Sequence, residues 1–460
     1  MTRPNEHHRT ETSLRARTDR RFIRSTHRSE RFVLVELEAP PAAQKPTRDP
    51  VNLCFVLDRS GSMSGTKLEL AKRAIETAVD RLLPSDRFAI VCYDDRIDVV
   101  VEGTSASREA KTNAMERLRA IDARGSTDLG GGYLRGAEQV ALGIPSHADA
   151  GPGTDPLGAM QRMAWNSAAG DETPTQPSIN RILLLTDGLA NQGITDPEEL
   201  TRHASELRAR GVTTTTFGVG EAFDESLLQS MADAGGGHFY FIGNAQQIQD
   251  LIASEVGELL QVVARDVNLV ITAPDGLEPR TLSPYGIERR GSRHHVLLGD
   301  LVAEQRIEVV LRLKFQYGPV GQELGILVAA TDRDGVLLAA GATPVGVGWQ
   351  YADDATNDEQ ERDRSVDRAV AKLFAARARQ GAVSRNRLGD FREARLELRQ
   401  VAERIAGYAG RDPELRALVK DLHDEEDRWA MPMPEMARKV QHAQASYALR
   451  SRAPDGRANR

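Results

Sequence analysis

The stretch that most constrains this chain is VNLCFVLDRSGSMSG, from Val51 to Gly65. Val51 to Leu57 is almost wholly apolar and then breaks into a Gly/Ser loop before a helical run from Lys67 to Leu83, the pattern of a strand buried on both faces. Asp58 therefore stands at the carboxyl end of that strand. RILLLTDGLANQG repeats the grammar: Ile182 to Leu185 is a short apolar run, and Thr186, Asp187 and Gly188 leave it at the same kind of edge. Between them RGSTDLGGG supplies a loop carrying Thr127, followed by a helix from Asp128 onward. In an open parallel sheet, ligands bind in the crevice outside the carboxyl ends of the strands. Three loops can thus converge on one point.

Asp58, Ser60, Ser62, Thr127 and Asp187 offer two carboxylates and three hydroxyls, all oxygen donors. Such a set favours a hard divalent cation. Magnesium takes octahedral oxygen ligands at about 2.0–2.1 Å and keeps some waters, and manganese or calcium can substitute. Two carboxylates and three neutral hydroxyls leave the ion incompletely neutralised, ready for one more anionic oxygen from a partner's Asp or Glu.

Asp58-x-Ser60-x-Ser62, the distant Thr127 and the later Asp187-Gly188 resemble the metal-ion-dependent adhesion site of von Willebrand factor A domains, also called integrin I domains. The resemblance covers roughly Val51 to Glu258. It implies a Rossmann-like, doubly wound α/β domain. In that family the serines and threonine bind the metal directly or exchange with the aspartates, and a ligand carboxylate completes the shell. Those roles carry over to Asp58, Ser60, Ser62, Thr127 and Asp187 only. The reading is a non-enzymatic, magnesium-dependent module that captures an exposed acidic residue of a protein ligand.

Enzyme readings compete for the same stretches. Gly61 to Leu68 follows a strand and opens a helix as a phosphate-binding P-loop does, but Thr66 separates Gly65 from Lys67 and Leu68 stands where the magnesium-binding hydroxyl is needed. A serine hydrolase needs Gly-x-Ser-x-Gly and a positioned histidine, whereas Ser60 lies in Asp-Arg-Ser-Gly-Ser. Metal-assisted hydrolysis needs a base as well as the ion, and no His/Glu cluster announces one. The alternative from another class is a subunit of an enzyme assembly, similar to the A domains that accompany ATPase motors in metal-chelatase complexes.

A length of 460 residues suggests about three domains at roughly 150 residues each. The net charge of -7 argues against a dedicated nucleic-acid binder. No apolar stretch approaches the roughly 18–20 residues of a membrane span, the amino terminus lacks the apolar core of a signal peptide, and a cytoplasmic protein is expected. Cys54 and Cys92 lie inside apolar strand-like runs, so buried free thiols are expected and a structural disulfide is not.

The expected organisation is a basic flexible tail over 1–28, the first strands of a β-sandwich over 29–48, the A domain over 51–258 with a loop insert at 143–178, the rest of the sandwich over 262–351, an acidic linker over 352–364 and a helical bundle over 365–450. The segment from Arg3 to Arg31 holds nine arginines against four acids, which reads as a solvated tail leading into a strand. RFVLVELEA, from Arg31 to Ala39, alternates as a half-buried strand does, and DVNLVITAP, RHHVLLGDL, RIEVVLRLKF and GILVAATDRDGVLLAAG offer it a sheet. Inserting an A domain between strands of a sandwich is a layout similar to that of bacterial von Willebrand A proteins and inter-alpha-trypsin inhibitor heavy chains. His294 and His295 are adjacent strand residues and face opposite sides, so they are not expected to share a metal. The insert begins on the face opposite the metal and carries an apolar patch at Leu157, Met160, Met163 and Trp165, a possible second contact surface. Leu388-Gly-Asp-Phe-Arg-Glu-Ala394 resembles the turn of a helical hairpin repeat, in one copy only.

Overall fold

A computed structural model describes residues 13–42, 48–144 and 179–460. The chain forms two compact units, residues 1–44 with 261–460 and residues 45–260. The apolar patch of the insert lies outside the described residues.

The first unit opens with β1 (Ser13–Thr18), β2 (Phe22–Arg24) and β3 (Ser29–Glu38). This corrects the expectation of a flexible tail up to residue 28. β1 pairs antiparallel with β3, from Ser13 opposite Glu38 to Thr18 opposite Val33, and Leu14 and Ile23 are buried in the sandwich core. One buried apolar residue per strand is enough because β3 supplies the backbone partner of β1 and a later strand, over Val345–Ala352, that of β2, a contribution invisible in a local reading of composition.

The second unit is built around one sheet. Its elements in order are β4 (Val51–Asp58), α1 (Thr66–Asp80), β5 (Arg87–Tyr93), β6 (Ile97–Ser105), α2 (Arg108–Arg119), α3 (Leu129–Ala141), β7 (Ile179–Thr186), α4 (Pro197–Ala209), β8 (Val212–Val219), α5 (Glu225–Ala234), β9 (Gly236–Ile242) and α6 (Gln247–Leu259). The strand order is β6-β5-β4-β7-β8-β9, parallel except for β6. Every residue of β4 and β7 is buried, as a sheet covered on both faces requires. Because β5 lies on one side of β4 and β7 on the other, the winding reverses between β4 and β7, and the crevice for a ligand opens at their carboxyl ends. Cys54 and Cys92 are free and buried in β4 and β5, and burial pushes both thiols up, Cys92 to about 12.

Helix α3 lies unusually close to this sheet because its inner face is glycine. A Cβ at Gly132 would stand 2.5 Å from the Tyr93 ring, and one at Gly136 would stand 2.4 Å from Val56 Cγ2. Aspartates fix several helix starts by accepting from the first free backbone N–H groups: Asp128 caps α3, Asp196 caps α4 ahead of Pro197, and Asp224 caps α5.

The first unit resumes with β10 (Val262–Thr272), β11 (Arg280–Thr281), β12 (Ile287–Arg290), β13 (Arg293–Val302), β14 (Arg306–Phe315), β15 (Glu323–Thr331), α7 (Val336–Ala339) and β16 (Val345–Ala352). Two sheets, β1-β3-β14-β11 and β12-β13-β10-β15-β16-β2, face each other across a core that includes Val33, Val35, Leu37, Leu269, Val309 and Trp349. The Trp349 indole donates to Thr18 Oγ1 at 2.8 Å and its ring lies 5.0 Å from that of Phe315. The expected linker over 352–364 instead contains a short helix, α8 (Asp354–Glu359), because Asp353 caps it through the Thr356 N–H.

Four helices follow: α9 (Arg364–Leu388), α10 (Phe391–Ala409), α11 (Pro413–Trp429) and α12 (Glu435–Leu449). β3 alternates between two cores. Val33, Val35 and Leu37 enter the sandwich, while Phe32 and Leu34 pack against Val366, Val370 and Leu373 of α9. Ala375, Leu398, Ile405, Leu415, Leu422 and Trp429 form a separate core among the helices. Gly389 ends α9 at φ +84°, a conformation that suits glycine, and Phe391 then starts α10.

The close seat of α3 is testable. Gly136→Ala should destabilise the protein by roughly 1–3 kcal/mol through overpacking against Val56, measured by urea denaturation, whereas Gly276→Ala, where nothing lies within 4 Å of the new Cβ, should lose only what its φ of +81° imposes.

Candidate metal centre

The carboxyl ends of β4 and β7 bring the expected residues together. Asp58 is the last residue of β4 and Asp187 follows the last residue of β7. Ser60 lies just after β4, and Ser62 lies in the short turn Gly61–Met63 before α1. Ser60 Oγ is 3.1 Å from Ser62 Oγ, and Ser62 Oγ donates to Asp187 Oδ1 at 2.6 Å. Thr127 enters from the loop ahead of α3. A Cβ built on Gly188 would lie 3.2 Å from Thr127 Oγ1 and 3.8 Å from Ser62 Oγ, so both hydroxyls flank the Asp187-Gly188 turn. Four of the five are buried: Asp58 at 0% exposure, Asp187 at 1%, Ser60 at 2% and Thr127 at 3%. Ser62 is exposed and opens the cluster to solvent.

Two carboxylates so placed need compensation. The Ser60 N–H donates to Asp58 Oδ1 at 2.8 Å, and the Thr186 hydroxyl donates to Asp58 Oδ2 at 2.7 Å. Burial nevertheless pushes the Asp58 carboxyl above its usual range, these hydrogen bonds oppose the rise, and the nearby Asp187 charge adds to it. The Lys67 ammonium donates to Asp187 Oδ2. The donors are hard oxygens throughout, the carboxylates are out of water, and one edge remains open. By donor type and burial the five residues fit a divalent cation of the magnesium class.

Sequence reasoning did not find the framework that holds these loops. Asp94, with no exposure, accepts from Arg59 Nε at 3.0 Å and Arg124 Nε at 2.7 Å, and both guanidiniums also reach Asp98. Backbone bonds complete the clamp: Arg124 N–H to Arg59 C=O at 2.8 Å, Gly61 N–H to Gly125 C=O at 3.2 Å and Asp128 N–H to Asp94 C=O at 2.8 Å. Asn191 joins the third loop, since Thr127 N–H donates to its Oδ1 at 3.0 Å and its own N–H donates to Thr127 C=O at 3.2 Å. Local sequence offers Lys67 only as a phosphate ligand, whereas its pairing with Asp187 is a contact between residues 120 positions apart.

A second group of ligand-type side chains, His238, Glu255 and Glu258, lies in the same unit. Glu255 is already engaged: Arg181 Nη1 and Thr215 Oγ1 donate to one oxygen at 2.7 Å each, and Tyr240 OH at 2.8 Å and His238 Nδ1 at 3.1 Å meet the other. The Arg181 guanidinium supplies the positive charge there, so the group ties β7, β8, β9 and α6 together as a buried ion-pair network. His294 and His295 each stay partly buried on β13, and burial lowers both imidazoles.

A sheet parallel in all but one strand, with a doubly wound order and a carboxylate-hydroxyl cluster at its switch point, defines a Rossmann-like α/β domain. Residues 52–254 match the von Willebrand factor type A domain, and the chain carries such a domain. An uncharacterised Escherichia coli protein, YfbK, is 30% identical over 273 residues, covering 57% of this chain and 41% of its own length. The chain thus spans less than half of that relative. Human inter-alpha-trypsin inhibitor heavy chain H6 is 26% identical over 183 residues, 39% of this chain and 12% of its own. Among solved structures, a von Willebrand factor type A protein from Catenulispora acidiphila covers 99% of both chains with a TM-score of 0.66 at 18% identity, a likeness of fold. No helix among the described residues is long and apolar enough to cross a membrane.

The clamp makes a pH-dependent prediction. Burial pushes Asp94 up, but hydrogen bonds from Arg124 and the Arg96 N–H, with the charges of Arg59 and Arg124, outweigh it and hold the carboxyl below its usual 3.8. A depressed folded-state value gives stability that is present above the unfolded value and lost as pH falls through the folded one. Asp94→Asn should therefore destabilise the domain by roughly 3 kcal/mol at neutral pH, and the gap from wild type should shrink below about pH 4, measured by denaturation at pH 7 and in the acid range.

Proposed function

We propose that this chain is a non-enzymatic protein-binding module that works through a divalent cation, magnesium at physiological concentrations, with manganese or calcium able to replace it. Asp58, Ser60, Ser62, Thr127 and Asp187 would hold the ion. When bound, the ion supplies an open coordination position for an Asp or Glu carboxylate of a partner protein. Asp58 and Asp187 contribute the negative charge, and their burial limits competition from water. Ser62, exposed at the rim, marks the side from which a partner approaches. The observation that carries the reading is the convergence of these oxygen donors from three loops on the edge where β4 and β7 end. The expected setting is the cytoplasm, in complex assembly or signalling.

Affinity capture with purified full-length chain tests it directly. Proteins retained in magnesium should be lost both in EDTA and with Asp58→Ala, folding being checked by circular dichroism. The same captured set under all three conditions refutes metal-bridged recognition.

Lys67 allows a second test that needs no partner. Its ammonium occupies Asp187 Oδ2, so it competes with a cation for that oxygen and repels it at short range. Lys67→Met should bind manganese more tightly, by up to about fivefold given the modest strength of half-exposed pairs, while its melting temperature in EDTA falls below that of wild type. Calorimetric titration and thermal melts read both effects. Unchanged or weaker manganese binding would separate Lys67 from the ion site.

A further inference from the structure

The arginines of the amino-terminal segment gather at a cavity apart from the residues of the cation cluster. In the first unit, Arg20, Arg24, Arg28, Arg31, Arg362 and Arg404 line one open cavity of about 340 Å³. Asp19 and Glu30 are the only acids on its wall among the described residues. Most of the guanidiniums are answered from the wall or just behind it: Arg20 by Asp19 at 3.2 Å, Arg24 by Asp354 at 2.7 Å, Arg362 by Asp367 at 2.6 Å and Arg404 by Glu30 at 3.5 Å.

Among the described residues no carboxylate stands within ion-pair distance of Arg28 or Arg31. Arg28 donates to the neutral Gln316 side chain at 3.2 Å. Arg31 is 3% exposed and donates to Phe22 C=O at 3.0 Å, to Glu30 C=O at 2.7 Å and to the Asn357 side chain, all of them uncharged. Burial and the nearby Arg20 charge lower Arg31, the Asp19 carboxylate opposes them, and Arg362 and Arg24 add to the fall; the net result is about 10, so Arg31 still carries its charge at neutral pH. Asp19 also pairs with Arg20 at 3.2 Å and Arg362 at 3.9 Å, so three guanidiniums share one carboxylate; a buried cation so under-compensated is costly unless a ligand adds negative charge.

A third group points the same way. Tyr408 lines the cavity, and its hydroxyl is buried with no hydrogen-bond partner among the described residues. Burial holds the phenol protonated, up to about 12, so it is a donor without an acceptor. Phe32, Val370 and Phe374 add apolar wall, and the Arg404 guanidinium carbon lies over the Phe374 ring, 4.3 Å from its centre, a cation–π contact that helps hold it at the cavity. Forked donors suit the oxygens of a phosphoryl group, and the apolar wall suits a short organic body attached to it.

We propose that this cavity is a binding site for a phosphomonoester. The source is either a free small phosphate ester or a phosphorylated side chain of another protein, and both present the same dianionic group to Arg28, Arg31 and Tyr408. The site lies in a different unit from the cation cluster, so it stands or falls separately from the protein-binding reading.

Isothermal titration of the full-length chain with O-phosphoserine, serine, a phosphoserine peptide and its unphosphorylated form tests it. Both phosphorylated probes should bind and both unphosphorylated ones should not. Tighter binding of the free ester assigns a small-molecule source, and tighter binding of the peptide assigns a phosphoprotein. Arg28→Met and Arg404→Met alter exposed side chains and should leave the melting temperature close to wild type, yet weaken phosphoserine binding about tenfold each through the loss of a charge-assisted bond. Tyr408→Phe removes only the hydroxyl and should weaken it by a smaller factor. Absence of binding at millimolar phosphoserine, or equal binding by wild type and Arg28→Met, overturns the proposal.

Discussion

The α/β unit depends on two carboxylates held out of water at the ends of adjacent parallel strands. Neighbouring strands lie about 4.8 Å apart, so once β4 and β7 pair in register, Asp58 and Asp187 emerge side by side. The surrounding groups answer that charge: a backbone N–H and a threonine hydroxyl on Asp58, a serine hydroxyl and a lysine ammonium on Asp187. A lysine with 35% of its side chain exposed is a removable counter-ion, unlike a buried guanidinium. The contrast with Glu255 is instructive. There Arg181, with 3% exposure, closes the ion pair from inside, and the carboxylate is committed to structure.

Bringing Thr127 to the same point takes two further devices. The glycine face of α3 lets the helix backbone approach Tyr93 and Val56, and the Asp94 clamp fastens the loop before α3 to the loop after β4. Neither device touches a metal. They decide where the third loop lies, and hence whether its hydroxyl can act with the two carboxylates. Asn191 then fastens that loop to the one after β7, so the three loops are held by one another as well as by the sheet.

In the other unit the governing fact is that an early strand, β2, pairs with β16, the last strand among the described residues. β2 lies parallel to β16, and Phe22 N–H donates to the Gln360 side chain across 338 residues of sequence. That pairing sets four arginines of a segment that looks like a charged tail against Arg362 and Arg404 from the helical region. The charge in the amino-terminal segment is thus concentrated on one concave wall instead of being spread through solvent.

How much was legible follows from how local each signal is. Buried strands announced themselves as apolar runs, helix starts as aspartates before them, and the five oxygen donors as short patterns at strand ends, because each rests on neighbours in sequence. The roles of Lys67, Asp94 and Asn191 were not legible, since each rests on a partner at least 30 positions away. The short strands β1 and β2 are not legible either, because their stability comes from backbone pairing, β1 with β3 and β2 with the far-off β16, which composition does not record. The amino-acid sequence by itself determined which residues could bind a hard cation and which segments would be buried, because residue chemistry and hydrophobic period are local properties. Only the tertiary structure decided which charges meet, which must share one counter-charge and which loops reach one point, because those depend on strand order and on contacts closed across hundreds of residues.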